Sequence, residues 1–358
     1  MRWVLKICCG IFMLILLQSC PECIPPEPSF QTGSDIIFVG KSLNTDTPGV
    51  FLVNRDGSNL KELLPNAYIY SPVSDDGKIV FLRKISSSKI QLLKYSLKTN
   101  EFEYPIDDSS YPVKMYAVRS KDGSKIAFFT EGKEIVTGEN GVWFSEKYDI
   151  CPNTIPVFSP DGRYIAFLIG DSLEAPLRIN IVRADNPGIE VAYKELSFGI
   201  SGLHGLAKLD WSHQDIIVYS YTRSKKLDVI GVWNVNNPSK SFEIELKENL
   251  GAFNPVLSPD KTKILFTARD GNLWLRNFTE DTLSPAFWED LTRVNEGEFL
   301  AYPRWSKDGK SILYTRFFKN RMDDEYSGKL EILKNIGTDS MQTRIICDGV
   351  RQAFWRDN

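Results

Sequence analysis

The chain has 358 residues, with 43 Lys and Arg against 46 Asp and Glu for a formal charge of -3, and 42% of its residues are apolar. That apolar share is enough for a large buried core, which excludes a disordered chain, and the near-balanced charge excludes a nucleic-acid polyanion binder. With two histidines, His204 and His213, chemistry built on several imidazoles is hard to assemble, while 12% aromatic residues fit β-rich packing. In chain order, Met1, Arg2 and Lys6 precede the apolar run Ile7 to Leu17, and Gln18-Ser19-Cys20 follows. A charged start, a short apolar stretch and a small residue before a cysteine are the layout of a removable secretory signal over residues 1–19. The run falls short of the roughly 20 residues a spanning helix needs.

The four residues Leu17-Gln18-Ser19-Cys20 resemble the lipobox of bacterial lipoproteins. That resemblance implies cleavage before Cys20, acylation of its sulfur and amine, and attachment to a membrane through several acyl chains. A soluble periplasmic protein cut near Ser19 is the alternative. Residues 20–33 contain Pro21, Pro25, Pro26 and Pro28, too few backbone donors for a sheet, and read as an extended tether of about 3.1 Å per residue. Cys23, Cys151 and Cys347 remain in an oxidising compartment. Their spacing matches no metal-ligand pattern, so Cys151 and Cys347 read as small hydrophobes at strand ends.

Beyond the tether the chain repeats itself. Ser74-Asp75-Asp76-Gly77, Ser120-Lys121-Asp122-Gly123, Ser159-Pro160-Asp161-Gly162, Ser258-Pro259-Asp260 and Ser306-Lys307-Asp308-Gly309 each precede an Ile-x-aromatic pair, and Ser212-His213-Gln214 is a degenerate copy. The isoleucines of those pairs stand at 36, 79, 126, 165, 217, 264 and 312, a spacing of roughly 46 residues. Ser at the first position, Asp at the third and Gly at the fourth satisfy a type I turn. The pair after each turn then puts Ile and its aromatic partner on one face of a strand.

A third strand is expected at Val50 to Val53, Ile90 to Tyr95, Val142 to Phe144, Leu177 to Val182, Ile230 to Val235, Leu273 to Leu275 and Leu330 to Leu333. Trp143, Trp233 and Trp274 then occupy matching third-strand positions, which core packing explains. More polar fourth strands, such as Asn59 to Leu64, Ile189 to Leu196 and Thr343 to Cys347, suit an outer edge. Phe354-Trp355 aligns with a first strand that lacks its hairpin partner, and Ile36 to Val39 with a second strand that lacks its first. The two ends are expected to pair. The fold class is therefore all-β, a seven-bladed β-propeller over residues 34–358 with four-stranded blades, its first and last units closed by the terminal strands.

The Ser-Pro-Asp-Gly turns followed by Ile-Ala-Phe resemble the TolB-type β-propeller repeat, a relative of the WD repeat, over roughly residues 34 to 358. In TolB such a propeller is similar to a docking platform for a lipoprotein, and in prolyl-oligopeptidase-like peptidases it accompanies a hydrolase domain. The resemblance implies a cell-envelope role. It places no TolB contact residue on this chain, which has a tether where TolB has an α/β domain.

Catalytic chemistry has little to rest on. No Gly-x-Ser-x-Gly elbow is present, and Ser201-Gly202-Leu203-His204-Gly205 reads as a flexible loop. His213 occupies a turn position and is expected to be exposed. Met322-Asp323-Asp324-Glu325 lacks the interleaved oxygens and glycine of a calcium loop. Propeller lyases of uronate oligosaccharides resemble the chain in fold, but their metal sites use clustered histidines. No cofactor, metal or nucleic acid is expected.

The expectation is a lipid-anchored propeller of the bacterial envelope, on the outer rather than the inner membrane and facing periplasm or cell surface, that binds an envelope protein or glycan without covalent chemistry. A metal-dependent polysaccharide lyase is the alternative. The binding face is placed on loops joining second to third strands, at Arg223, Lys225, Phe317, Phe318, Arg321, Asp323 and Asp324, with His204 as a further candidate and Cys20 as the lipidation site.

Overall fold

The computed structural model describes residues 35–106, 111, 114–139, 141–172, 176–196, 207–224, 227–246, 250–278, 288–318 and 327–356. The signal segment, the tether with Cys20 and Cys23, and His204, Lys225, Arg321, Asp323 and Asp324 lie outside these residues.

Apart from one 3-10 turn at Pro238–Lys240, every regular element among the described residues is a strand. In chain order, sheet A holds Ile36–Lys41, Pro48–Val53 and Lys61–Pro65, and sheet B holds Ala67–Tyr68, Lys78–Ser86, Lys89–Ser96 and Phe102–Glu103. Sheet C is Lys114–Arg119, Ile126–Thr130, Glu134–Glu139 and Val142–Lys147; sheet D is Val157–Phe158, Tyr164–Ile169, Leu177–Arg183 and Asn186–Leu196. Sheet E comprises Asp210–His213, Ile216–Ser224, Leu227–Asn234 and Phe242–Glu245, and sheet F comprises Phe253–Leu257, Lys263–Thr267, Leu273–Asn277 and Trp288–Asp290. Glu298–Trp305, Ser311–Phe318, Gly328–Lys334 and Gln342–Trp355 make sheet G. A parallel pair, Thr154–Ile155 with Ala207–Lys208, stands apart.

Sheets A and G are continuous. Gln342–Trp355 pairs through its first half with Gly328–Lys334 and through its second with Ile36–Lys41, in the register Ile36↔Trp355 and Phe38↔Ala353, to give one seven-stranded sheet. The terminal strands thus meet as the sequence predicts. Trp355 Nε1 donates to the Arg304 carbonyl at 3.2 Å, and Arg304 returns a bond from Nε to the Ala353 carbonyl at 2.9 Å while its guanidinium lies 4.0 Å from the Phe354 ring centre. On the other side, Gln352 Nε2 donates to the Ile69 carbonyl at 2.7 Å.

The Ile-x-aromatic pairs build the core. Ile36 and Phe38, Ile79 and Phe81, Ile126 and Phe128, Ile165 and Phe167, Ile217 and Tyr219, Ile264 and Phe266, and Ile312 and Tyr314 each sit in a separate buried cluster. Each cluster draws on two sheets: Ile36 and Phe38 of sheet A meet Leu313, Leu330 and Ile332 of sheet G, for example. Full burial of each such side chain contributes about 1.5–3 kcal/mol, so the face-to-face contacts between sheets carry most of the stability.

The turns explain the spacing. In five copies the serine Oγ donates to the aspartate Oδ1 at 2.6–2.7 Å. That oxygen also accepts the backbone N–H two residues on, at 3.0–3.1 Å. Gly77, Gly123, Gly162 and Gly309 take φ between 67° and 78°, the left-handed region the turn requires; Lys261 holds the same place at φ 59°.

Sheet C departs from the expected order. Its third strand is Glu134–Glu139, and Val142–Lys147 is the outer fourth strand. The hairpin joining Ile126–Thr130 to Glu134–Glu139 is only three residues long and turns at Lys133, φ 60°, with no glycine in the left-handed position to signal it. Trp143 therefore does not match Trp233, which is buried on a third strand.

Candidate functional site

The hairpins joining first to second and third to fourth strands share one end of an antiparallel four-stranded sheet, and second-to-third loops lie at the other. At the turn end, between sheets B and C, there is a cavity of about 340 Å³ lined by Asp76, Lys78, Lys94, Arg119, Asp122 and Trp143, among others.

Arg119 organises it. Its position, the residue just before the turn serine, is filled elsewhere by Val73, Phe158, Trp211, Leu257, Trp305 and, in the aligned tail, Trp355. Sheet C places a guanidinium where every other repeat places an apolar side chain. The Arg119 side chain is 3% exposed. Nη1 donates to Asp76 Oδ1 at 2.7 Å and to Ser74 Oγ at 2.5 Å, Nη2 donates to Asp76 Oδ2 at 2.6 Å, and Nη2 also reaches the Gly123 carbonyl. The bidentate clasp ties the turn of sheet B to that of sheet C. Burial opposes ionisation of Asp76, but the Arg119 and Ser74 bonds outweigh it and hold its pKa below the ordinary value.

The other charges are also matched. Lys78 and Lys94 each place Nζ 2.5 Å from a different oxygen of Glu103. Those two bonds, Lys78 first, lower the Glu103 pKa. For Asp122, burial works against ionisation and is outweighed by bonds from Ser120 and Ser124. Trp143 is half-buried, packed 5.8 Å from Phe128 between ring centres. Gly138 permits this, because a Cβ there would overlap the Trp143 ring. The site therefore offers carboxylates, ammonium groups and an indole with charges already paired, a surface suited to recognition.

Of the residues chosen from sequence, the described ones, Arg223, Phe317 and Phe318, are not gathered here. Arg223 lies in Ile216–Ser224, and Phe317 and Phe318 end the strand Ser311–Phe318 instead of lying in a loop. Phe317 is buried, stacked on Phe299 at 5.2 Å and edge-on to Tyr302, so it is a core residue and not part of a binding surface. It lies on the strand face of Leu313 and Thr315, which stays buried to the strand's end. His213 is half-buried, not exposed, because Nε2 donates to the Pro259 carbonyl of the next sheet at 3.2 Å. Cys151 is buried and Cys347 half-buried, and both are free. Burial pushes their thiols up, to about 11 and about 12, away from nucleophilic use. Among the described residues no group of three or more His, Cys, Asp or Glu stands where it could hold a metal ion.

No family model matches the chain, and no curated protein matches it. Solved structures do. The β-propeller domain of the Trilobed protease from Pyrococcus furiosus superposes with a TM-score of 0.57 at 12% identity, over 89% of this chain and 94% of that one. TolB from Acinetobacter baumannii gives 0.52 at 15% identity over 90% of this chain, and a prolyl endopeptidase gives 0.52 at 12% over 78%. The chain spans 66% of that TolB and 42% of that endopeptidase. At these identities the likeness establishes fold alone: the chain is built as a β-propeller.

Proposed function

We propose that this protein is a lipid-anchored propeller of the cell envelope, attached through Cys20, whose seven blades close into a ring and present a rigid binding surface to an envelope protein or glycan without covalent chemistry. The observation that carries the reading is the strand Gln342–Trp355, which serves the last blade and the first at once. Seven core clusters among the described residues are each shared by two neighbouring sheets, A with G included, and support a closed ring. Closure leaves loops and turns held on a scaffold with no exposed terminal sheet edge, the arrangement that favours display over movement. The candidate surfaces are the turn end with its cavity and the connection after Ser311–Phe318, where the sequence carries Arg321, Asp323 and Asp324.

The test is crosslinking in intact envelopes followed by recovery of the acylated protein. The expected result is a discrete partner, retained by wild type and reduced by the combined substitution Arg321→Glu and Asp323→Lys or by Trp143→Ala. Cys20→Ser is expected to shift the protein from the membrane to the soluble fraction. Recovery of the same background from wild type and all variants would overturn the scaffold reading, and membrane retention of Cys20→Ser would overturn the anchor. A lyase instead requires metal-dependent cleavage of uronate oligosaccharides that His204→Ala abolishes.

A further inference from the structure

We propose that the cavity between sheets B and C binds a neutral pyranose unit of a glycan, with Trp143 as the stacking platform. The inference rests on the scaffold reading and names a ligand class for its turn end. Its volume, about 340 Å³, falls at the small end of the roughly 300–1,000 Å³ typical of small-ligand sites, enough for one sugar ring and part of the next.

Charge decides between ligands. Arg119 is committed to Asp76, and Lys78 and Lys94 to Glu103. An ionic ligand needs net charge to gain from, and the three cations Arg119, Lys78 and Lys94 are already balanced by the three carboxylates Asp76, Glu103 and Asp122. A polyhydroxyl ligand has no such requirement, since each hydroxyl both donates and accepts and can use the remaining lone pairs of the Asp76 and Asp122 carboxylates. The half-buried indole of Trp143 supplies the second element, a flat apolar surface on which the C–H face of a pyranose packs by dispersion and water release. Gly138 leaves room for that indole and Phe128 packs against it, so the platform is formed before the ligand arrives.

The full chain is titrated calorimetrically with cellotriose, maltotriose and chitotriose as neutral probes and trigalacturonate as the acidic one. The expected result is saturable binding of at least one neutral trisaccharide. Trp143→Ala should weaken it about tenfold, and Trp143→Phe should hold it within about threefold. In wild type, where folding is not in question, the same probe should shield Trp143 from oxidation mapped by mass spectrometry. The proposal is overturned if no neutral probe saturates at roughly 10 mM, if Trp143→Ala leaves binding unchanged, or if trigalacturonate binds more tightly in a manner that Lys78→Ala removes. Partner capture from envelopes that persists without saccharide binding refutes the cavity assignment and leaves the scaffold reading intact; saccharide binding without partner capture does the reverse.

Discussion

Arg119 reaches from sheet C into sheet B and grips both carboxylate oxygens of Asp76, at 2.7 and 2.6 Å, although every aligned residue in the other repeats is apolar. Asp76→Asn leaves a guanidinium that is 3% exposed without its counter-ion, while Asp76 itself is 34% exposed. We expect a loss of about 2–3 kcal/mol, below the full cost of a wholly buried pair because water screens one partner. Adding Arg119→Leu, which restores the apolar pattern, should return most of that loss. Urea denaturation of the two single variants and the double variant checks this.

Trp355 is 2% exposed, pairs with Ile36 and donates to Arg304. Trp355→Ala should cost about 3–5 kcal/mol through lost burial and the cavity left behind. Removing residues 350–358 uncovers the edge of Ile36–Lys41 and is expected to abolish cooperative unfolding and soluble yield. A truncated chain that melts like wild type would refute a ring closed by the tail.

Asn180 is fully buried opposite Phe167, and neither atom of its carboxamide has a hydrogen-bond partner. Leu93 and Val136 hold the equivalent place opposite Phe81 and Phe128. Asn180→Val should therefore stabilise the protein by about 1 kcal/mol, read as a higher urea midpoint with unchanged slope.

The turn aspartates set the acid limit. Asp260 and Asp308 are held below the ordinary carboxylate pKa first by the Ser258 and Ser306 hydroxyls, and in Asp161 bonds from Ser159 and Arg163 outweigh opposing burial. A carboxylate with a lower pKa folded than unfolded takes up a proton on unfolding, so its contribution is full above the unfolded value near 4 and is lost as pH falls through the folded one. Melting temperature should be level from pH 7 to about pH 5 and drop steeply below about pH 4. Asp260→Asn together with Asp308→Asn should flatten that drop, and an unchanged acid limb would exclude the turns as its cause.

The scaffold was legible in the chain because two signals recur together: a turn that needs particular residues and an aromatic column that needs a particular face. Glu134–Glu139 was not legible, because Lys133 makes its hairpin at positive φ without the glycine that usually marks one. Tyr116 and Tyr302 likewise take φ of 53° and 55° at irregularities in first strands, conformations that tyrosine does not advertise. The cavity did leave a mark, since Arg119 breaks an otherwise apolar column, but it shows only when the repeats are compared at the residue before the turn. The loop end left none: long connections carry charge for solvation whether or not they bind anything.

One strand has a mechanical consequence. The described chain enters at Asp35, directly ahead of Ile36–Lys41, which lies between Pro48–Val53 and Gln342–Trp355 and not at a free edge. Tension applied along this strand through the preceding residues acts on two ladders of hydrogen bonds at once, where an edge strand would offer only one.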